Sequence, residues 1–239
     1  MKPWSGLAIV SAALAVMYAF SMWRIYRQVP AVRTRLGDEH LDLEPVDGVE
    51  GFERLDLEAG SFLVPKGVGR RTVGQDVAHE KERRSHVAFQ GKGRGALIQV
   101  TVLPRRASSL HLLALPWART DGYRLLESAL TSRFGYFHVF MRSLLVRGHD
   151  DISFARVTVG RMRGFVRRGM RRVDKGATTK ARVHQFDLFD DAWHYKIDVV
   201  SPDDILPDEA VLTAVASFRV PPACCVFGAA STTKTSSMP

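Results

Sequence analysis

From Pro3 to Trp23 no position is charged, and Arg24 and Arg27 then end the apolar run. As a helix, such a run of 21 residues would extend roughly 31 Å, enough to cross a bilayer core. Past residue 60 the pattern changes to short apolar or alternating stretches set between glycine and charged clusters, as strands require. Ser61–Pro65 reads as one strand. His86–Gln90 and Ala96–Leu103 flank the glycine-rich stretch 91–95 and read as a hairpin. Phe137–Val146 and Ile152–Val159 read as strands joined through 147–151, with a long strand or strand pair following through Met170. Helical spacing appears at three places. Leu110–Leu115 predicts a helix ended at Pro116. Asp121 can cap a second, through about Arg133, with Tyr123, Leu126 and Leu130 on one face. Pro207 opens a third, with Val211, Leu212 and Val215 inward, ending near Ser217 before a short strand Phe218–Val220.

The clearest hairpin is Arg182–Phe189, Asp190-Asp191, Ala192–Val200. Pairing Leu188 with Trp193, Phe186 with Tyr195 and His184 with Ile197 makes one face apolar. The other face then holds Gln185, Asp187, His194, Lys196 and Asp198, whereas a slip of one residue would mix the faces. The expected fold class is α+β, an antiparallel sheet sandwiched by helices and preceded by one transmembrane helix. The expected division is a membrane helix over 1–27, an acidic linker over 28–59, the domain over 60–222 and a flexible tail over 223–239.

Charge refines this picture. The chain carries a formal +9, yet residues 38–58 hold nine acids against Arg54 alone, a net −8 that leaves +17 elsewhere. That asymmetry suits an anionic partner or internal pairing. Lys2 and the α-amine precede the apolar run, while Arg24, Arg27, Arg33 and Arg35 follow it. The positive-inside rule therefore places the domain in the cytoplasm of a single-pass protein of the bacterial inner membrane. The alternative is an extracytoplasmic domain. A cleaved signal peptide with Ala19-Phe20-Ser21 as its site is the rival reading of the segment. Trp4, Trp23 and Tyr26 read as interfacial anchors. Ala8, Ala12, Ala15 and Ala19 form a small-residue stripe for packing against a helix of an integral membrane partner. Cys224 and Cys225 are adjacent and are not expected to form a structural disulfide.

The densest feature is a basic run. Arg156, Arg161, Arg163, Arg167, Arg168, Arg171, Arg172 and Lys175 fall within 20 residues, and the first acid among them is Asp174. The arginines from Arg161 to Arg172 are the candidate docking residues, with Arg161, Arg163 and Arg167 sharing one strand face and Gly160, Gly164 and Gly169 marking bends or bulges. Their partner would be anionic lipid or an acidic protein surface, with nucleic acid disfavoured because few aromatics interleave. The competing reading is a solvated face neutralised by the chain's own acidic linker. Asp187 and His194 should face each other, but no nucleophile accompanies them, so a cross-strand polar pair is expected. His79-Glu80 lacks the second histidine of a zincin motif, and Gly69–Gly74 lacks the Lys-Ser/Thr of a phosphate loop. No catalytic set, metal site or cofactor is expected.

Three features together resemble a known class: the opening Ser61-Phe62-Leu63-Val64-Pro65-Lys66-Gly67, a central helix before a run of antiparallel strands, and a terminal helix into Ala216-Ser217-Phe218-Arg219-Val220-Pro221. The stretch resembles PsbP/DcrB-like α/β/α sandwich domains over roughly residues 60–222. The resemblance implies a non-catalytic accessory, assembly or stabilising subunit of a larger complex, including photosynthetic ones, whose members usually lie outside the cytoplasm. The expectation is therefore a membrane-anchored subunit of an energy-transducing complex, photosynthetic or respiratory. The alternative is a membrane-bound enzyme or a protein that binds a small ligand or anion.

Overall fold

The computed structural model describes residues 3–68, 70–79, 82–90, 95–105, 121–133, 136–172, 180–202 and 205–220. Helix α1 (Pro3–Gln28) leads through a 3-10 turn (Pro30–Arg33) into strands β1 (Leu36–Leu43), β2 (Phe52–Leu57), β3 (Gly60–Pro65), β4 (Arg70–His79), β5 (Glu82–Gln90) and β6 (Gly95–Pro104). Helices α2 (Gly122–Thr131) and α3 (Tyr136–Val146) follow. Then come β7 (His149–Val159), β8 (Met162–Arg172), β9 (Lys180–Phe189), β10 (Trp193–Ser201) and helix α4 (Asp208–Ala216). Eight strands form one sheet in the order β1-β7-β8-β9-β10-β6-β5-β4, and β2 and β3 pair separately. Every neighbour in the large sheet is antiparallel except β1 and β7, which run parallel. The protein is thus mixed α+β, with a large, mostly antiparallel sheet behind an N-terminal apolar helix.

Alternation along the strands sorts the core into two clusters. Ala155, Val166, Phe186, Ile197 and Val100 lie in adjacent register and are buried with Phe62 of β3 and with Val211 and Val215 of α4. Phe154, Phe165 and Phe189 point the other way and are buried with Leu126 and Leu130 of α2 and Val139 of α3. Met22, Ile25, Tyr26 and Val29, at the end of α1, pack on this second cluster. The cap is as expected: the Asp121 carboxylate accepts from the Tyr123 N–H and starts α2. Ser61 and Arg219 exchange backbone hydrogen bonds where the chain leaves α4.

Several expectations are corrected. Residues 28–59 are not a linker. Leu41 and Leu43 of β1 pack on the core beside Val157 and Val159, while Asp42 between them is exposed. The acidity hid a period-two pattern. Phe137–Val146 is helical, not a strand. Val139, Arg142 and Val146 are buried at spacings of three and four, and Met141, Leu144 and Leu145 favour helix over the two β-branched valines. The glycine-bounded stretch after Gly69 is strand β4, paired with β5.

The β9–β10 register differs by two residues from that expected: Tyr195 faces Leu188 and Ile197 faces Phe186. The carboxylate of Asp190 accepts from the N–H groups of Ala192 and Trp193, so the turn closes on Asp191-Ala192 instead of Asp190-Asp191. A slip of two keeps parity, so each residue stays on the expected face. Gly169 lies opposite the register shift between Asp150 and Ser153 of β7, the bulge expected there, but Gly164 marks no bulge. β8 pairs with β9 without a break, and a Cβ at Gly164 would overlap the backbone oxygen of Asp187. Gly160, at φ 56°, sits in the β7–β8 turn. The helix 110–115, Lys175, the tail and both cysteines lie outside the described residues.

Candidate functional site

Two places gather charge: a buried row on the sheet and a basic surface around the end of α1. The row lies on the face that carries Phe154, Phe165 and Phe189. Arg167 of β8, Gln185 and Asp187 of β9, and His194, Lys196 and Asp198 of β10 alternate with core residues, so the strand period alone brings them together. The Arg167 guanidinium donates to the Gln185 side-chain oxygen. His194 faces Phe189 in register, not Asp187, yet its Nε2 lies 2.8 Å from an Asp187 oxygen, a diagonal contact. The expected pairing of the two side chains is present. The His194 ring stacks on Phe189 at 4.2 Å. Lys196 reaches Asp198 at 3.3 Å.

The row is a low-dielectric arrangement, and its two carboxylates respond oppositely. Burial opposes ionisation of Asp187. The hydrogen bond from His194 and the charges of His194, Lys196 and Arg167 outweigh it, so its pKa is lowered. Burial dominates at Asp198 and raises its pKa, with Lys196 only partly offsetting it. Burial likewise lowers the pKa of Arg167, against the pull of Asp187 and Asp198. The Nε2 of His194 meets Asp187, while its Nδ1 is buried without a hydrogen-bond partner among the described residues. The adjoining cavity between α2, α3 and the sheet measures about 10 Å³, room for no more than a water molecule. The ring nitrogens of His194 bond to no hydroxyl or thiol among the described residues. The arrangement orients and neutralises charge within the fold. No group of metal-ligating side chains occurs among the described residues.

No protein-family model matches the chain, and no curated protein matches it.

The basic run does not form a single surface. Arg161 is exposed in the turn. Arg163 is exposed over the Tyr123 ring at 4.7 Å, and Arg171 is exposed near the end of β8. Arg167, expected beside them, is half-buried against Gln185 because α2 and α3 cover that part of the sheet. Arg168 turns to the opposite face and pairs with Glu39 of β1 at 2.8 Å, so an acid of the supposed linker does neutralise part of the run. The side chain of Arg172 lies outside the described residues.

Ala8, Ala12, Ala15 and Ala19 are exposed along α1, as is Trp23; the side chain of Trp4 lies outside the described residues. Tyr26 is half-buried and belongs to the domain core. Residues 6–20 of α1 are exposed throughout, and only from Met22 onward does the helix pack on the domain.

Sequence reasoning missed two arginine features. Arg142 of α3 is almost fully buried and donates to the Ser132 carbonyl at 2.7 Å. Burial pushes its pKa down, while Tyr26 works in the opposite direction. Its place in the three-to-four-residue buried spacing of α3 was the available signal. The second feature is an open depression of about 550 Å³ lined by Arg33, Arg35, Leu36, Gly37, Asp38, Thr131 and Arg156. Arg33 and Arg35 read in sequence only as topology signals, because the fold alone brings Arg156 to them.

Proposed function

We propose that this chain is a membrane-anchored, non-catalytic accessory or assembly subunit that docks on a larger membrane complex. The observation that carries the reading is the double use of α1. Leu7, Ile9, Val10, Leu14, Val16 and Phe20 are all at least half exposed, whereas Met22, Ile25 and Tyr26 pack into the domain. A helix apolar all round needs an apolar surround, and its length suits a bilayer. The other end is built into the fold, which favours a retained anchor over a cleaved leader. The alanine stripe offers a close-packing surface to a partner helix, and Arg161, Arg163 and Arg171 are exposed basic side chains open to acidic contacts. With α2 and α3 on one face and α4 on the other, the sheet suits the α/β/α sandwich of the PsbP/DcrB class, and with it a photosynthetic or respiratory complex. By the positive-inside rule, the arginines after α1 favour the cytoplasmic side of a bacterial inner membrane for the domain.

Purification of the native protein in mild detergent tests the proposal. The expected particle is larger than the chain and contains integral membrane subunits in fixed ratio; a monodisperse monomer overturns the subunit reading. Orientation is tested separately with protease on sealed right-side-out vesicles, where the domain should survive until the membrane is opened. Digestion in sealed vesicles would place it on the other side.

A further inference from the structure

We infer that the depression formed by Arg33, Arg35 and Arg156 is a binding site for the phosphate head group of an anionic phospholipid, in the leaflet beside the domain. The inference rests on α1 being a membrane anchor. Three guanidinium groups line the depression against one carboxylate, Asp38, leaving two positive charges in excess. Little of that charge is used within the protein. Arg35 has no hydrogen-bond or ion-pair partner among the described residues, although its charge contributes to lowering the pKa of buried Arg142. Arg156 approaches Glu127 only at 3.9 Å, with both side chains more than a third exposed. Arg33 reaches the Tyr26 carbonyl at 3.5 Å, the limit of a hydrogen bond. Guanidinium forks match phosphate oxygens, whereas the Thr131 hydroxyl on the wall is already committed to the Glu127 carbonyl at 2.8 Å.

The backbone is shaped to make the opening. Between Leu36 and His40, strand β1 spends four steps where β7 spends two, from Phe154 to Arg156. This irregularity lifts Gly37 and Asp38 out of regular pairing beside Arg156, a use of bulges that recurs next to binding sites.

Depth selects lipid over soluble phosphate. Trp23 ends the uncharged run, and the Arg33 guanidinium lies over the Tyr26 ring at 5.9 Å. Tyr26 is three residues beyond Trp23, about 4.5 Å along the helix axis. The polar layer of one leaflet is roughly 5–8 Å thick. A depression beside Tyr26 therefore opens at the level where lipid phosphates lie, and a basic pocket at that level suits an anionic head group.

The test uses the full chain purified in detergent. It is mixed with vesicles of phosphatidylcholine alone or of phosphatidylcholine containing phosphatidic acid, and phospholipid retained by the protein is counted by native mass spectrometry. The wild type should float with both vesicles and retain phosphatidic acid selectively. The triple variant R33Q/R35Q/R156Q should still float on phosphatidylcholine but hold phosphatidic acid at least about tenfold more weakly. R163Q/R171Q, which removes two exposed charges elsewhere, should retain it as the wild type does. If the triple variant fails to fold, R35Q alone decides the matter, because that guanidinium has no internal partner to lose among the described residues. Equal loss in R163Q/R171Q, no lipid selectivity in the wild type, or displacement by inorganic phosphate at matched concentration each overturns the inference and leaves the anchor standing. Failure to float on either vesicle overturns the anchor reading, and the inference with it.

Discussion

The two faces of strands β8, β9 and β10 are built by the same residues' neighbours yet follow opposite rules. One face carries Val166, Phe186, Leu188, Tyr195 and Ile197 under α4 and the β2–β3 hairpin, an apolar centre with Arg168, Arg182 and His184 at one end. The other carries Arg167, Gln185, Asp187, His194, Lys196 and Asp198 beside the aromatic patch under α2 and α3. Burial on the first face stabilises through area alone and tolerates no gap. Burial on the second face is tolerable only because each charge has a neighbour of opposite sign. The difference teaches that charge in this domain is placed, not merely exposed.

The largest effect should come from opening the apolar face. Phe186→Ala removes a fully buried ring and should cost about 3–5 kcal/mol, measured by denaturant unfolding. Next, Asp187→Asn should cost roughly 3 kcal/mol at neutral pH, because it removes the buried charge that His194 contacts and that offsets nearby Lys196 and Arg167. The folded-state pKa of Asp187 lies below the ordinary 3.8, so its contribution is present above that value and is lost as pH falls through the folded value. The variant should accordingly lose this part of the acid sensitivity, and an unchanged acid limb would break the comparison.

Asp198→Asn should act in the other direction. The folded-state pKa of Asp198 is raised above 3.8, so the wild type loses stability as pH rises from there through the folded value. Removing the carboxylate should leave the domain unchanged or more stable by about 1 kcal/mol at neutral pH, with the gain vanishing in acid. The smallest effect should be R163Q/R171Q. These side chains are exposed, and replacing them should move stability by less than about 1 kcal/mol while sharpening any docking defect.

Much of this was legible in the sequence because it rests on short-range rules. The uncharged run became α1, Asp121 capped α2, and alternation placed Asp187 and His194 on one face. Register was less legible, since parity fixes the face but not the step; the Asp190 carboxylate chose the turn. Segment 36–43 was misread because acidity outweighed alternation, and 136–146 because a mixed apolar run suits either period. The Arg33, Arg35 and Arg156 site was illegible altogether, since a parallel pairing of β1 with β7 joins residues far apart in the chain.

The joint between α1 and β1 has a mechanical consequence. Backbone bonds from Val29 to Ile25, from Val32 to Val29 and from Thr34 to Ala31 stiffen the short passage between them. Val32 is fully buried within it. A helix of 26 residues, about 39 Å long, is therefore fixed to the sheet as a crank is fixed to its wheel. Rotation of α1 about its axis would meet resistance from this passage and from Met22, Ile25 and Tyr26 packed on the domain. A helix packed against the alanine stripe would thereby exert torque on the domain without touching it.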